Sequence, residues 1–313
     1  MKHLFIINPV AGGGDKTDEV KAKVVSAFAQ RPEEEVEIYV TKAPLDATEK
    51  IRAEAADGKA LRVYACGGDG TFNECAAGVA GLPNAAVCPF PTGTGNDFCR
   101  MFGAEKDLFR DLDALIDGTV HPIDAIDCNG RCSVNICSAG IDARIGTNVH
   151  KYTELPLVGG AAGYVVSAAV EMFRGIAQPM RITSGDYVGE GEYSLVCVCN
   201  GRFYGGGFNP SLDARPDDGD LDVYVVKKVN LFQLAREIGK YSSGRSDESP
   251  KFITHLHGTE LAIELDKPDV VNIDGEGMVT DRIRWKLVPG AMRLIVPATL
   301  HFFDDKKPAE TTV

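Results

Sequence analysis

Between residues 3 and about 120 the chain alternates short β-type runs with helical stretches, and no other pattern narrows the choice of fold as far. The β-type runs are His3–Ile7, Glu35–Thr41, Leu61–Ala65 and Ala85–Pro89. Between and after them, apolar residues recur three or four apart, as in Val20, Val24 and Phe28, or Leu108, Leu112 and Leu115. Strict alternation predicts a doubly wound, mostly parallel sheet, because each parallel crossover needs a helix. Ligands of such sheets bind beyond the carboxyl ends of the strands. Three loops fall there: Asn8-Pro9-Val10-Ala11-Gly12-Gly13-Gly14, Gly67–Thr71 and Thr92-Gly93-Thr94-Gly95-Asn96-Asp97. One alone would be weak evidence; three on one edge constrain the function.

The middle loop carries the most chemistry. Cys66-Gly67-Gly68-Asp69-Gly70-Thr71-Phe72-Asn73-Glu74-Cys75 follows a strand and opens into a helix predicted over Thr71–Val79. Gly67, Gly68 and Gly70 lack the Cβ atoms that would hold a bulky anion off the backbone. The helix start then offers free N–H groups and the positive end of its dipole. Asp69 would repel polyphosphate unless a divalent cation or a proton in transit lay between them. An acid in a glycine cradle therefore suits phosphoryl transfer better than passive dinucleotide binding. The plain alternative is a strand-to-helix turn whose glycines serve packing. Glu74 three residues after Thr71 fits a capping box, and Asp97 fits an N-cap with a lesser case for facing the acceptor. No P-loop lysine follows Gly12-Gly13-Gly14 at the required spacing, which leaves Lys16 and Arg100 as unranked cationic candidates.

After about residue 122 short β runs and turns take over. The predicted strands are Ile123–Cys128, Ser133–Ser138, Ser194–Asn200, Leu221–Val226, Glu260–Leu265, Val270–Ile273, Ile283–Val288 and Met292–Val296. Asn129-Gly130, Asp218-Gly219, Asp274-Gly275 and Pro289-Gly290 read as turns between them. The class is α/β plus β: a doubly wound domain over 1–124, then an antiparallel sandwich or barrel over 125–297 with helices near 158–174 and 231–241. The Val158–Phe173 stretch is short and broken by glycine, so it reads as a packed helix before a lipid-facing one. Nine scattered cysteines inside apolar runs read as reduced, packed thiols; Cys197 and Cys199 share a strand face. His255-x-His257 has no acidic or cysteine ligand motif nearby and reads as an edge strand, not a metal site. A net charge of −12 disfavours nucleic acid or a membrane held by charge alone. The apolar start, Leu4–Ile7, is too short for a secretory signal, so a cytoplasmic location is expected.

Asn8-Pro9…Gly12, Gly67-Gly68-Asp69-Gly70-Thr71-x-Asn73-Glu74, Pro91-x-Gly93-Thr94-x-Asn96-Asp97-Phe98, Asp217-Asp218-Gly219-x-Leu221-Asp222 and Asp274-Gly275-Glu276 occur in this order. Together they resemble the diacylglycerol kinase catalytic family, and among its members the soluble bacterial lipid kinases. The resemblance runs over nearly the whole chain. It implies an ATP-binding domain related to NAD kinases, a β-rich lipid-binding domain, an active site in a cleft between them, and a C-terminal segment, 298–313, that returns to the first domain. It places ATP on Asn8, Pro9, Val10, Ala11, Gly12, Thr41, Gly67, Gly68, Asp69, Gly70, Thr71, Phe72, Asn73 and Thr94. It places a structural Mg²⁺ on the Asp218 carboxylate and the main-chain carbonyls of Arg215 and Asp220, an aspartate where the family has an apolar residue. Glu276 matches the proposed general base.

A lipid hydroxyl needs such a base as the γ-phosphoryl group moves. Glu276, at a glycine turn after Val270–Ile273, fits it, while Asp69 competes for the role or holds metal on the phosphates. The expected activity is an ATP- and Mg²⁺-dependent lipid kinase taking diacylglycerol or a related lipid, through transient peripheral membrane contact. Alternatives are an NAD or sugar kinase sharing the Gly-Gly-Asp-Gly loop, and a catalytically silent nucleotide-binding regulator. Related enzymes are often dimeric, so a homodimer is a further expectation.

Overall fold

The computed structural model describes residues 1–11, 14–93, 96–153 and 175–304, with side chains of 148–153 excepted. The chain divides into two compact units. One comprises Met1–Ala125, Pro216–Asp218 and Val288–Val313; the other comprises Ile126–Arg215 and Gly219–Leu287.

The first unit is built on strands β1 (Lys2–Ile7), β2 (Glu35–Val40), β3 (Leu61–Gly67) and β4 (Ala85–Pro91). All pair in parallel, in the order β4-β3-β1-β2. Leu4, Phe5, Ile6 and Ile7 are all buried, as a strand covered on both faces requires. Helices α1 (Thr17–Phe28), α2 (Asp46–Ala55) and α3 (Asp69–Val79) make the crossovers. The order reverses between β1 and β3, the switch point at which open α/β sheets bind ligands. Register makes the point sharper. Ile7 is level with Val40 and Cys66, and Gly67 with Pro91, so the loops leave from one line. The predicted helix through Leu108, Leu112 and Leu115 is instead two pieces, a 3-10 segment over Gly103–Arg110 and α5 (Leu112–Ile116); α4, Asp97–Arg100, precedes them. Asp111 interrupts by accepting the Ala114 N–H, an N-cap that starts a new helix. Near the C-terminus Phe302 and Phe303 pack on Phe102, and His301 N donates to Glu105.

The second unit is antiparallel. It contains β6 (Arg131–Ser133), β7 (Ile136–Gly140), β8 (Gln178–Ser184), β9 (Tyr187–Cys199), β10 (Leu221–Lys227), β11 (Ile253–Gly258) and β12 (Glu260–Ile273). β5 (Thr119–Cys128) and β13 (Glu276–Val296) run through both units. The long strands β9 and β12 pair with β8 at one end and β7 at the other, which curls the sheet. Val196 and Val198 enter one core around Trp285; Leu195, Cys197 and Cys199 enter another around Tyr241. Both faces are covered, which is why this run reads as continuously apolar. Helices α6 (Ile141–Thr153) and α7 (Leu231–Tyr241) complete the unit; a capping box, Asn230 with Gln233, starts the second.

Three expectations change. Ser133–Ser138 is two strands with a bend at Val134-Asn135. Pro289-Gly290 does not reverse the chain: β13 continues through it, with Gly290 at φ +57° and its N–H on Asp124. Glu260–Leu265 and Val270–Ile273 are one strand with a register shift between them. β8 was not foreseen, and the predicted helix near 158–174 lies outside the described residues. Among the described residues no helix is long and apolar enough to cross a membrane.

Candidate active site

The glycine loops meet at the level strand ends of the first unit. Asn8 closes an Asx turn by accepting the Val10 N–H at 3.1 Å, and its amide donates to Thr71 Oγ1 at 3.2 Å. The first loop is thereby tied to the start of α3. Thr41, just past β2, donates its N–H to Ile7 O at 2.9 Å. Pro9 and Ala11 are half-buried and Val10 is exposed; Gly12 and Thr94 lie outside the described residues.

α3 begins at Asp69, two residues before the predicted Thr71, with Gly68 as an N-cap that brings no side chain. The expected capping box of Thr71 and Glu74 therefore does not form: both lie inside the helix, and the N-cap residue offers the first-turn N–H groups no side chain. The glycines divide by role. A Cβ on Gly67 would collide with the Thr71 side chain, so this glycine serves the fold. A Cβ on Gly68 or Gly70 would meet nothing within 4 Å among the described residues. Among the described residues those two are unobstructed at a helix start, where an anion can approach. Phe72 turns its ring into the core against Phe98, 4.5 Å between centroids, and anchors the loop; Asn73 is half-buried one position on.

Asp69 does more than line the cradle. Its carboxylate accepts the N–H groups of Asp97 at 2.9 Å and Phe98 at 3.1 Å, locking the third loop to the second. A carboxylate offers about four acceptor positions, so Asp69 keeps capacity for a cation or a proton. Asp97 is not the N-cap. Asn96 is, accepting the Cys99 N–H at 2.9 Å, while the buried Asp97 carboxylate pairs with Arg100 Nε at 2.9 Å. Arg100 is thus committed to Asp97, and Lys16 sits 3.5 Å from Glu19. The cation that secures this edge is Arg110, which no motif pointed to: it donates to Gly93 O at 2.7 Å and Pro91 O at 3.5 Å. Burial pushes the thiols of Cys66, Cys75 and Cys99 well up, so these neighbours of the loops stay protonated and inert.

In the second unit Asp274-Gly275 is a two-residue hairpin turn with both residues at positive φ, +49° and +95°, joining β12 to β13. The Asp274 carboxylate accepts Ser133 Oγ, Val134 N, Asn135 N and Ile136 N at 2.7–3.2 Å. This explains the break in the predicted strand Ser133–Ser138: the amides curl around a carboxylate and leave the ladder. Glu276, at the first position of β13, is exposed.

The turn from Arg215 to Asp220 disperses its acids. Asp217 turns inward to His121, Nε2 to Oδ2 3.3 Å; the Asp220 carboxylate meets His257 Nδ1 at 2.7 Å; Asp218 is exposed beside Gly219 at φ +77°. A Cβ on Gly219 would touch nothing within 4 Å among the described residues. One exposed carboxylate with nearby main-chain oxygens fits a hard, water-carrying cation. Because the Asp220 side chain is taken by His257, its carbonyl is the donor it can bring.

Residues 2–128 match the model of the diacylglycerol kinase catalytic domain, and 135–296 that of the YegS C-terminal NAD kinase beta sandwich-like domain. A Pseudomonas aeruginosa protein described as "Probable lipid kinase YegS-like" is 32% identical over 298 residues, 95% of each chain. The chain belongs to the diacylglycerol kinase catalytic family, in its YegS-like branch. A Pectobacterium atrosepticum member is 29% identical, covering 94% of this chain and 95% of its own. The crystal structure of a diacylglycerol kinase from Bacillus anthracis superposes with a TM-score of 0.68 at 25% identity, over 96% of this chain and 98% of that one. The doubly wound domain followed by a β-sandwich is thus the family's architecture, and the chain is a phosphotransferase of lipid-kinase type.

Proposed function

We propose that the chain transfers the γ-phosphoryl group of ATP to a hydroxyl of diacylglycerol or a related membrane lipid, with Mg²⁺ as cofactor. The observation that carries this reading is the glycine-started α3, where no described residue lies within 4 Å of a Cβ built on Gly68 or Gly70, with the Asp69 carboxylate beside it. Amides there take the phosphate charge that a P-loop lysine takes elsewhere. Asn8, Thr41, Thr71 and Asn73 surround the nucleotide, and Asp97 stands at the rim with its charge held by Arg100. Asp69 would hold a cation beside the phosphates. When bound, Mg²⁺ neutralises charge developing on the transferred phosphoryl oxygens. The Asp218 carboxylate with the main-chain carbonyls of Arg215 and Asp220 would hold a second Mg²⁺, which would stiffen that turn. The acceptor's hydroxyl gives its proton to Glu276, its oxygen bonds to the γ-phosphorus, and the bond to the β-phosphate oxygen breaks to release ADP. Lipid reaches the site by transient contact with a membrane surface.

The test offers the purified chain labelled ATP and Mg²⁺ with mixed micelles of diacylglycerol, phosphatidylglycerol or a polyprenol, and separately with NAD. Label in a lipid is the expected result. Label in NAD alone, or in nothing, overturns the reading.

A further inference from the structure

The second unit carries a cluster that the phosphoryl-transfer reading does not use. His255 and His257 are two apart on β11 and share one face of it. Register sets Asp222 of β10 directly opposite His257, and Tyr224 opposite His255. The buried Asp222 carboxylate is thereby placed against both rings: its Oδ1 is 2.7 Å from His255 Nε2 and 3.9 Å from His257 Nδ1. The ring centroids are 4.5 Å apart. All three ligating atoms fall within 4.8 Å of one another. Around a tetrahedral zinc ion with bonds near 2.0–2.2 Å, ligand atoms stand roughly 3.4 Å apart, so small side-chain rotations suffice. His255-x-His257 has no acidic partner in its own segment; the partner comes from the neighbouring strand, at no fixed spacing in sequence.

We propose that Asp222, His255 and His257 bind one divalent transition-metal ion, zinc by donor type, with Asp220 as the fourth ligand. Asp220 Oδ2 already lies 2.7 Å from His257 Nδ1. Two imidazoles with carboxylates select zinc and its neighbours in the series; magnesium prefers an all-oxygen set. The support around the ligands also has the required form. Tyr224 stacks on His255 at 4.3 Å and 13°, fixing the ring plane. Asp247 Oδ1 stands 3.8 Å from His255 Nδ1, the nitrogen that keeps its proton when Nε2 ligates. Among the described strands β11 pairs only with β10. The ion would clasp this edge strand to its neighbour and hold the Asp220 end of the 215–220 turn.

The test uses the full chain, stripped with chelator and kept in excess Mg²⁺ so that hard-oxygen sites stay filled. Calorimetric titration with ZnCl₂ should saturate at one equivalent. Co²⁺ should give visible d–d absorption without a thiolate charge-transfer band, which separates this site from the cysteines. His257→Gln and His255→Gln should each weaken zinc about tenfold or more. Zinc should raise the melting temperature of the wild type and leave that of His257→Gln where it was. The His257 side chain is 61% exposed, so this variant folds and decides the matter even where His255→Gln does not. Absence of a saturable site, or equal zinc binding by wild type and His257→Gln, overturns the proposal.

Discussion

Each unit sets an aspartate against backbone N–H groups, and the two differ in how much of that aspartate remains. Asp274 in the second unit accepts from Ser133 Oγ and three successive amides. Its acceptor positions are taken, so it organises a turn. Asp69 in the first unit accepts from two amides and keeps room for more. The lesson is that an acid in a glycine motif is read by its remaining acceptor capacity. By that measure Asp69 keeps acceptor capacity, and Asp274, although it lies in the motif, is scaffold.

The largest expected effect is on Glu276. Glu276→Gln should lower kcat/KM for the lipid by about 10²–10⁴-fold, the range of general-base catalysis, with an unchanged melting curve. A variant keeping more than a tenth of the activity removes Glu276 from the reaction. Next comes the pair of aspartates. Asp274→Asn turns an NH₂ group toward amide donors and should lower stability in urea by about 3 kcal/mol. Asp69→Asn should cost about 1 kcal/mol yet abolish turnover. Equal destabilisation by the two would break the comparison. Among glycines, Gly67→Ala should cost about 2 kcal/mol by overpacking against Thr71. Gly68→Ala should leave stability within about 1 kcal/mol while raising KM for ATP. Urea titration with nucleotide kinetics separates these cases.

The smallest effect concerns pH, and the units answer in opposite directions. Burial lowers His3 in the first unit to about 4, so its stability is present above the usual histidine value and lost as pH falls toward 4. Burial raises Asp142 in the second unit to about 6, against which Tyr204 donates to its carboxylate at 2.9 Å. With the folded value above the unfolded one, that stability is full below pH 3.8 and lost as pH rises through 6. Asp142→Asn should therefore stabilise the chain at pH 8 by about 1–2 kcal/mol and give nothing at pH 4. A gain that is the same at both pH values would show that Asp142 does not titrate in this window.

Much of the first unit was legible because one physical rule governs it: parallel strands need helical crossovers, and glycine marks where the backbone turns at their ends. Helix starts were less legible. Asn96, not Asp97, caps the third loop because the side chain one residue earlier reaches the free N–H. Nor does Thr71 cap α3, whose helical geometry starts at Asp69. In the second unit the strands were found but their breaks were not. The split at Val134-Asn135 depends on Asp274, some 140 residues later, which no local window contains. Shorter separations hid Asp222, 33 residues before His255, and Arg110, 17 residues after Gly93.

Ile7 and Val40 end their strands level with Cys66, and one residue on Gly67 and Pro91 end theirs level with each other, with every parallel pairing unbroken up to that point. A residue added at the opposite ends of these strands, in surface turns such as Ala56–Lys59, only lengthens a bend. A residue added inside β3 would advance the whole Gly67–Thr71 segment by about 3.3 Å and reverse which side chains face each layer. Tolerance to insertion in this unit should thus be polar along the strand axis, high at one rim and nearly nil at the other.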